Sequence, residues 1–291
     1  QFRIRRTRFQ RIRLALKKAP VSAWIGMIII AFYAVMAIFA PLIAPYGEAE
    51  VFNIPFAPWD DTHWLGTDQI GRDVLSRLIY GARNTIGIAL ATTLLAFLIG
   101  GGLGLIAAIN RSWLDQLISR GVDVLMAIPS LIFALMLLSI FGSSAWSLIV
   151  IIAVIDSTRV FRLTRAVAVN VAVMDYVEAA TLRGEGLGWV MRREILPNIL
   201  PPLVAEFGLR FCFVFLTIAS LSFLGVGIQP PTADWGSMVR ETAQLVQFAK
   251  YDIKAALTPL IPAAAIALIT VGVNFLVDWF LQKSSGLRDD Q

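Results

Sequence analysis

YVEAATLRGEGLGWVMRREILP, residues Tyr176–Pro197, carries three arginines, three glutamates and three glycines between two long apolar runs. Asp175 precedes it and Glu178 follows three positions later. That spacing predicts a capping box and a short helix through Ala179, Ala180 and Leu182. Gly184, Gly186 and Gly188 predict a break, and a second short helix is expected around Trp189 to Ile195. Pro197, Pro201 and Pro202 are expected to close it and lead into the next apolar run. Taken alone, the residues allow two readings. The segment is either a connector between two interfacial helices or an element gripped by a soluble partner. Small Ala179 and Ala180 would let that partner approach, and Arg183, Arg192 and Arg193 would offer charge to an acidic groove. A phosphate cradle at Gly184–Gly188 has little support, because neither the following Lys-Ser/Thr nor a preceding strand is present.

The rest of the chain is apolar enough to be embedded in lipid. Of 291 residues, 57% are hydrophobic and 15% charged, against about 25% charged in an average soluble domain. Six stretches meet the requirement of roughly 20 largely apolar residues for a span: 21–44, 85–109, 122–141, 146–166, 203–226 and 256–281. The first is longer than the core of a signal peptide and is expected to remain as an anchor. The fold class expected is an all-α polytopic membrane protein with about six transmembrane helices. The single Cys212 and single His63 exclude a disulfide framework and a multi-ligand zinc site. Cys212 reads as a small buried hydrophobe and His63 as a hydrogen-bonded turn residue. Nucleic acid is not expected as a partner, since the basic residues flank spans.

Lys and Arg set the orientation. Residues 1–20 hold eight of them, whereas the segments 45–84 and 227–255 hold three each. The expected organisation is a basic cytoplasmic tail at 1–20, a first transmembrane helix at 21–44 and a periplasmic segment at 45–84. A five-helix core at 85–281 follows, including a cytoplasmic segment at 169–202 and a periplasmic loop at 227–255. A cytoplasmic tail at 282–291 ends the chain.

Spacing adds a resemblance. Glu178, Ala179, Ala180, Gly184, Leu196 and Pro197 match the EAA motif of permease subunits in bacterial ATP-binding cassette importers. Glu194 stands where that pattern has isoleucine, and Ile195 follows it. Two further stretches are similar to one branch of these permeases, which serves dipeptides, oligopeptides and nickel. They are HWLGTDQIGRDVLSRLIYGAR, His63–Arg83, and FLGVGIQPPTADWGSMV, Phe223–Val239. By residues alone, Asp73 to Arg83 has the spacing of a short amphipathic helix, and Asp68, Arg72, Asp73, Arg77 and Arg83 suit a local ion network.

The resemblance implies the type I importer transmembrane fold with a cytoplasmic helix-turn-helix coupling element. It also implies a translocation subunit of an ATP-driven, binding-protein-dependent importer in the bacterial inner membrane, with both termini cytoplasmic. The six motif residues would then couple to the ATPase, and di- or oligopeptides are the expected cargo. The implied partners are a related permease, two ATPase subunits that bind ATP and Mg, a periplasmic binding protein and membrane lipid. No cofactor, metal or catalytic residue is expected in this chain itself. Within the spans, Gly100 and Gly104 predict close helix packing, Pro129 predicts a kink, and Asp156 with Arg159 at i+3 is a candidate pathway or gating pair. The alternative function is an ion-coupled transporter acting without ATPases, which calls for inverted repeats and charged span centres. A membrane enzyme fits worst, having no nucleophile–base pair or metal cluster.

Overall fold

The computed structural model describes residues 18–52, 54–109 and 113–284. Residues 1–17 of the expected basic tail and 285–291 of the expected closing tail lie outside them. Among the described residues the architecture is helical, and the β-contacts are two isolated antiparallel bridges, Val51 with Arg72 and Thr67 with Asp73. Helix α1 spans Val21–Ile38, and Pro41 sits in the first turn of a short α2, Ala40–Ile43. An irregular cap then leads into α3, Val74–Ile109. Next come α4, Trp113–Ala127, α5, Ser130–Phe141, and α6, Ala145–Ala172. The polar segment forms α7, Asp175–Leu182, and α8, Leu187–Val190. After a π-helical turn at Met191–Ile195 comes α9, Leu196–Phe223. A short α10, Trp235–Thr242, a 3-10 turn at Ala243–Phe248 and α11, Ile253–Ser284, are the last elements described.

Among the described residues four helical stretches are long and apolar enough to cross a membrane: α1, α3, the continuous Leu187–Phe223 and α11. Helices α4 and α5 make a fifth when taken as one broken span. Helix α6 has the length of the fourth expected span, 146–166, but Asp156, Arg159, Arg162 and Arg165 interrupt its apolar character.

Two boundaries differ from expectation. The stretch 73–83 is not a separate amphipathic helix but the first turns of α3. The helix runs on because its polar positions find partners there. Asn84 donates to Glu48 Oε2 and to the Ala233 carbonyl, while Gly81 leaves room for Trp235, whose indole Cδ1 lies 2.7 Å from where a Cβ would stand. The kink expected at Pro129 is a full break. Helices α4 and α5 meet at 91°, with Pro129 in an extended conformation at the head of α5. Neither piece reaches the roughly 20 residues of a straight span.

Helices α3 and α6 are packed along their length. Gly100 faces the Ser157 carbonyl, and a Cβ at Gly104 would stand 2.8 Å from Thr164 Cβ. This is a small-residue seam of the kind that brings membrane helices into backbone contact. Replacing Gly100 by Leu forces the two helices apart. We expect a loss of about 1–3 kcal/mol, read as a lower unfolding midpoint of the detergent-extracted protein. An unchanged midpoint would show that the seam yields without cost.

The main core lies toward the cap end, around Trp235, which packs edge-on against Tyr33 and Phe215. Its indole N–H donates to the Leu78 carbonyl at 2.9 Å, which ties α10 to α3. A second cluster gathers Ala108, Ala168, Val177, Ala180, Val190, Ile195, Ile199 and Leu203. It joins the end of α3 and the end of α6 to the polar segment, and so places that segment at the opposite end of the helices from the cap.

Candidate functional site

The helix-turn-helix expected at 176–197 is present, with a different construction. Met174, not Asp175, precedes α7 in an extended conformation and makes no side-chain cap. Asp175 is therefore the first helical residue, and the capping box is not formed. Asp175 and Glu178 still place two carboxylates in the first turn, where the helix dipole favours negative charge. At the other end Gly184 takes φ +84°, its N–H bonds the Thr181 carbonyl at 2.9 Å, and Glu185 N–H bonds the Ala180 carbonyl at 3.3 Å. That pair of bonds is a Schellman termination, which requires a left-handed residue where Gly184 stands.

The second helix does not close at the prolines. From Leu187 to Phe223 the chain is one uninterrupted helical run. Pro197 falls in the first turn of α9, where its missing N–H is tolerated. The Asn198 side chain donates to the Glu194 carbonyl at 2.6 Å, and Pro201 and Pro202 lie one turn further on inside the helix.

The motif residues divide by the direction they face. Ala180 is fully buried, Leu196 packs against the same cluster, and Ile195 rather than Glu194 fills the core. Glu178, Ala179, Gly184 and Pro197 are exposed. A Cβ at Gly184 would meet nothing within 4 Å. Exposed Leu182, Leu187 and Trp189 surround the turn and make an apolar surface with charged neighbours Arg183 and Glu185. Composition hid these three, because isolated exposed apolar residues are ordinary and only the turn brings them together.

The cap contains the expected ion network, extended by a residue distant in sequence. Arg72 Nε lies 2.6 Å from Asp68 Oδ2 and Arg72 Nη2 lies 2.9 Å from Glu241 Oε2. Arg77 Nη2 shares Glu241 Oε2 at 3.1 Å, with Arg77 Nε 3.4 Å from Asp68. All four side chains are almost completely buried. Asp73 instead heads α3, accepting from Ser76 N and Oγ at 2.7 Å each and holding His63 Nδ1 at 2.9 Å. Arg83 is exposed. In the same cap Asp234 accepts from the Gly236 and Ser237 N–H groups at the head of α10. Burial pushes its carboxyl above the usual carboxylate range, with the hydrogen bonds from Ser237 and Gly236 opposing.

Asp156 and Arg159 pair as the i+3 spacing suggested, loosely, at 3.8 Å. A third participant is closer. Arg210 of α9 approaches Asp156 Oδ1 at 3.6 Å and stands 2.6 Å from Glu206 Oε1. Its guanidinium lies over the Phe213 ring, 4.7 Å from the centroid. Asp156 is eleven and sixteen residues from the ends of α6, and Arg210 fourteen and thirteen from those of α9, so the cluster lies near the middle of both helices. Nearer the polar segment, Arg165 grips Asp115 with two bonds of 2.6 Å and Arg162 holds Asp123 at 2.6 Å, which fixes α4 to α6.

The chain is a polytopic helical bundle with a projecting, glycine-terminated helix-turn-helix. Two solved structures share the fold. One is an inward-facing MetNI methionine ABC transporter, TM-score 0.53 and 19% identical, matched over 70% of this chain and 95% of that one. The other is an amino acid ABC transporter with histidines, TM-score 0.52 and 21% identical, matched over 71% and 94%. Residues 100–284 match the model of the binding-protein-dependent transport system inner membrane component. Residues 7–61 match the N-terminal TM domain of oligopeptide transport permease C.

Curated relatives are similar over nearly the whole length. The dipeptide transport system permease protein DppC of Escherichia coli K12 is 38% identical, over 94% of this chain and 89% of the relative. Its namesake from Alkalihalophilus pseudofirmus is 35% identical over 94% and 86%. The di/tripeptide permease DppC of Pseudomonas aeruginosa is 33% identical over 94% and 87%. The chain belongs to the family of binding-protein-dependent transport system inner membrane components. It is a multi-pass transport permease of the ATP-binding cassette importer class, and the ion-coupled alternative is set aside.

Proposed function

We propose that this chain carries di- or oligopeptides across the bacterial inner membrane, as one of two related permeases working with two ATPase subunits and a periplasmic binding protein. ATP and Mg would be bound by the ATPases, and this chain would supply the path. The observation that carries the coupling role is the exposed face of the helix-turn-helix: Glu178, Ala179 and Gly184 point outward beside Leu182, Leu187 and Trp189, while Ala180 and Leu196 anchor the element from within. Such a face, apolar at its centre and charged at its rim, suits a groove on a soluble partner. Peptide as cargo is supported by the names of the relatives.

The orientation that serves this role puts residues 169–202 and both termini in the cytoplasm and the 45–84 and 227–255 segments outside. The bias of Lys and Arg toward residues 1–20 and 159–193 supports it. ATP binding would bring the ATPases together and displace the element. Transport follows from the different stability of inward-open and outward-open states with ATP bound or absent.

Affinity purification from the native membrane in mild detergent, with mass spectrometry of the co-purifying chains, tests the assembly. A second permease and either two ATPases or two copies of one are expected. Recovery of this chain alone, with transport that needs no ATP, would sink the proposal.

A further inference from the structure

The mid-helix ion cluster is incompletely satisfied by this chain, and the way it is incomplete points to a ligand. Asp156 is 6% exposed, and its Oδ2 has no hydrogen-bond partner among the described residues. Its Oδ1 meets Arg210 and Arg159 only at 3.6 and 3.8 Å, beyond hydrogen-bond distance. Arg210 Nε stands 2.6 Å from Glu206 Oε1, a close ion pair outside hydrogen-bond geometry, and Glu206 itself is partly exposed, so the orphaned buried atom of the cluster is Asp156 Oδ2. Such groups are expensive in an apolar medium and are otherwise almost always paired. The polar surface continues from the cluster along one face of α9. Glu206, Arg210, Thr217 and Ser220 follow one another at intervals that keep them on that face, and each is at least partly exposed. Thr217 and Ser220 bond back to the Phe213 and Leu216 carbonyls. The charged Glu206 and Arg210 must line protein or water rather than lipid, while exposed Phe213 shares the face and the hydroxyls beyond it are satisfied within the helix.

We propose that Asp156, Arg159, Glu206 and Arg210 form a mid-helix binding station for the two charged ends of a zwitterionic cargo, an inference that rests on the peptide-import reading. Asp156 takes the α-ammonium, with Glu206 as its second acid. Arg159, half exposed on the same helix, and Arg210 take the α-carboxylate. Two acids and two arginines sum to zero, so a zwitterion enters without leaving an unbalanced charge, whereas a bare divalent cation meets two guanidinium groups. Asp156 Oδ2 and Arg210 Nε are closed off from solvent in this conformation. Occupation therefore needs α6 and α9 to part, and the loose 3.6 Å contact is the one that opens.

The test is equilibrium binding of radiolabelled alanyl-alanine to the complete permease–ATPase complex in nanodiscs, without its binding protein. Saturable binding is expected, competed by unlabelled alanyl-alanine and at least tenfold less well by its N-acetyl derivative. Asp156→Asn should lower affinity at least tenfold and Asp156→Glu should restore most of it. Arg159→Gln, on the exposed side and safer for folding, should erase the preference for alanyl-alanine over its C-terminal amide. Unchanged affinity in Asp156→Asn, or an undiminished preference in Arg159→Gln, overturns the station. Wild-type complex that binds no alanyl-alanine, yet imports it once the binding protein is supplied, also overturns it. Wild-type complex that imports no peptide at all overturns the peptide reading instead.

Discussion

Gly184→Trp is expected to abolish ATP-driven uptake while the chain still inserts and folds. Within the chain a Cβ at this position meets nothing within 4 Å, so the indole would project into the space that the partner ATPase is proposed to occupy. The backbone adds a smaller cost, since φ +84° is disfavoured for any L side chain by about 1–2 kcal/mol. Gly184→Ala separates the two effects, because it carries the backbone cost without the bulk. Overpacking of about 3 kcal/mol at a rigid contact predicts a loss of roughly a hundredfold for Trp, and Ala should retain a substantial fraction. Uptake into proteoliposomes containing the assembled importer, normalised to inserted protein, gives the comparison. Wild-type uptake in the Trp variant at wild-type expression would remove the coupling role from this turn.

Glu241→Ala is expected to be the most destabilising single change in the cap. It strips the shared acceptor from Arg72 and Arg77, both almost completely buried, and leaves Asp68 as the carboxylate in ion-pair contact with the two guanidinium groups, with the Glu48 carbonyl still accepting from Arg77. Removing one partner of a buried ionic group typically costs about 3–5 kcal/mol, because the remaining charge stays out of water. The unfolding midpoint of the detergent-extracted protein should fall accordingly. Replacing Arg72, Arg77 and Glu241 together by apolar residues of similar size should recover much of the loss. A Glu241→Ala protein as stable as wild type would mean that water enters the cap and satisfies both arginines.

The two sites differ in how much of them the residues disclosed. Runs of apolar residues were enough to mark four of the six expected spans and a broken fifth, because lipid imposes one simple requirement on every segment that crosses it, whereas the charges of α6 interrupt its apolar run. The EAA spacing marked the helix-turn-helix, since Gly184 is needed by a left-handed helix ending wherever the chain lies. What local spacing could not provide were partners far along the chain. Glu241 lies 169 residues from Arg72, and Arg210 meets Asp156 only because α6 and α9 are packed together. The capping box failed for a related reason. Asp175 and Glu178 had the right interval, but the helix began one residue earlier, and interval alone does not fix where a helix starts. Pro129 was legible as a bend and not as a right angle, since the size of a kink is set by what the following helix packs against.

The absence of a break between Leu187 and Phe223 has a mechanical consequence. At 1.5 Å per residue, α9 is a rod about 42 Å long, with Arg210 about 20 Å from its far end. That far end is held in the cap, where Ile228 N–H bonds Ser222 Oγ and Gly236 lies against the Ala219 carbonyl. If the cap is the pivot, a swing of about 5° carries the near end through about 4 Å and Arg210 through nearly 2 Å, from the rise per residue alone. A 2 Å excursion is enough to break a contact of 3.6 Å. A small rotation at one surface of the membrane would thus become an opened ion cluster at its centre, to the extent that the helix stays rigid through Pro201 and Pro202.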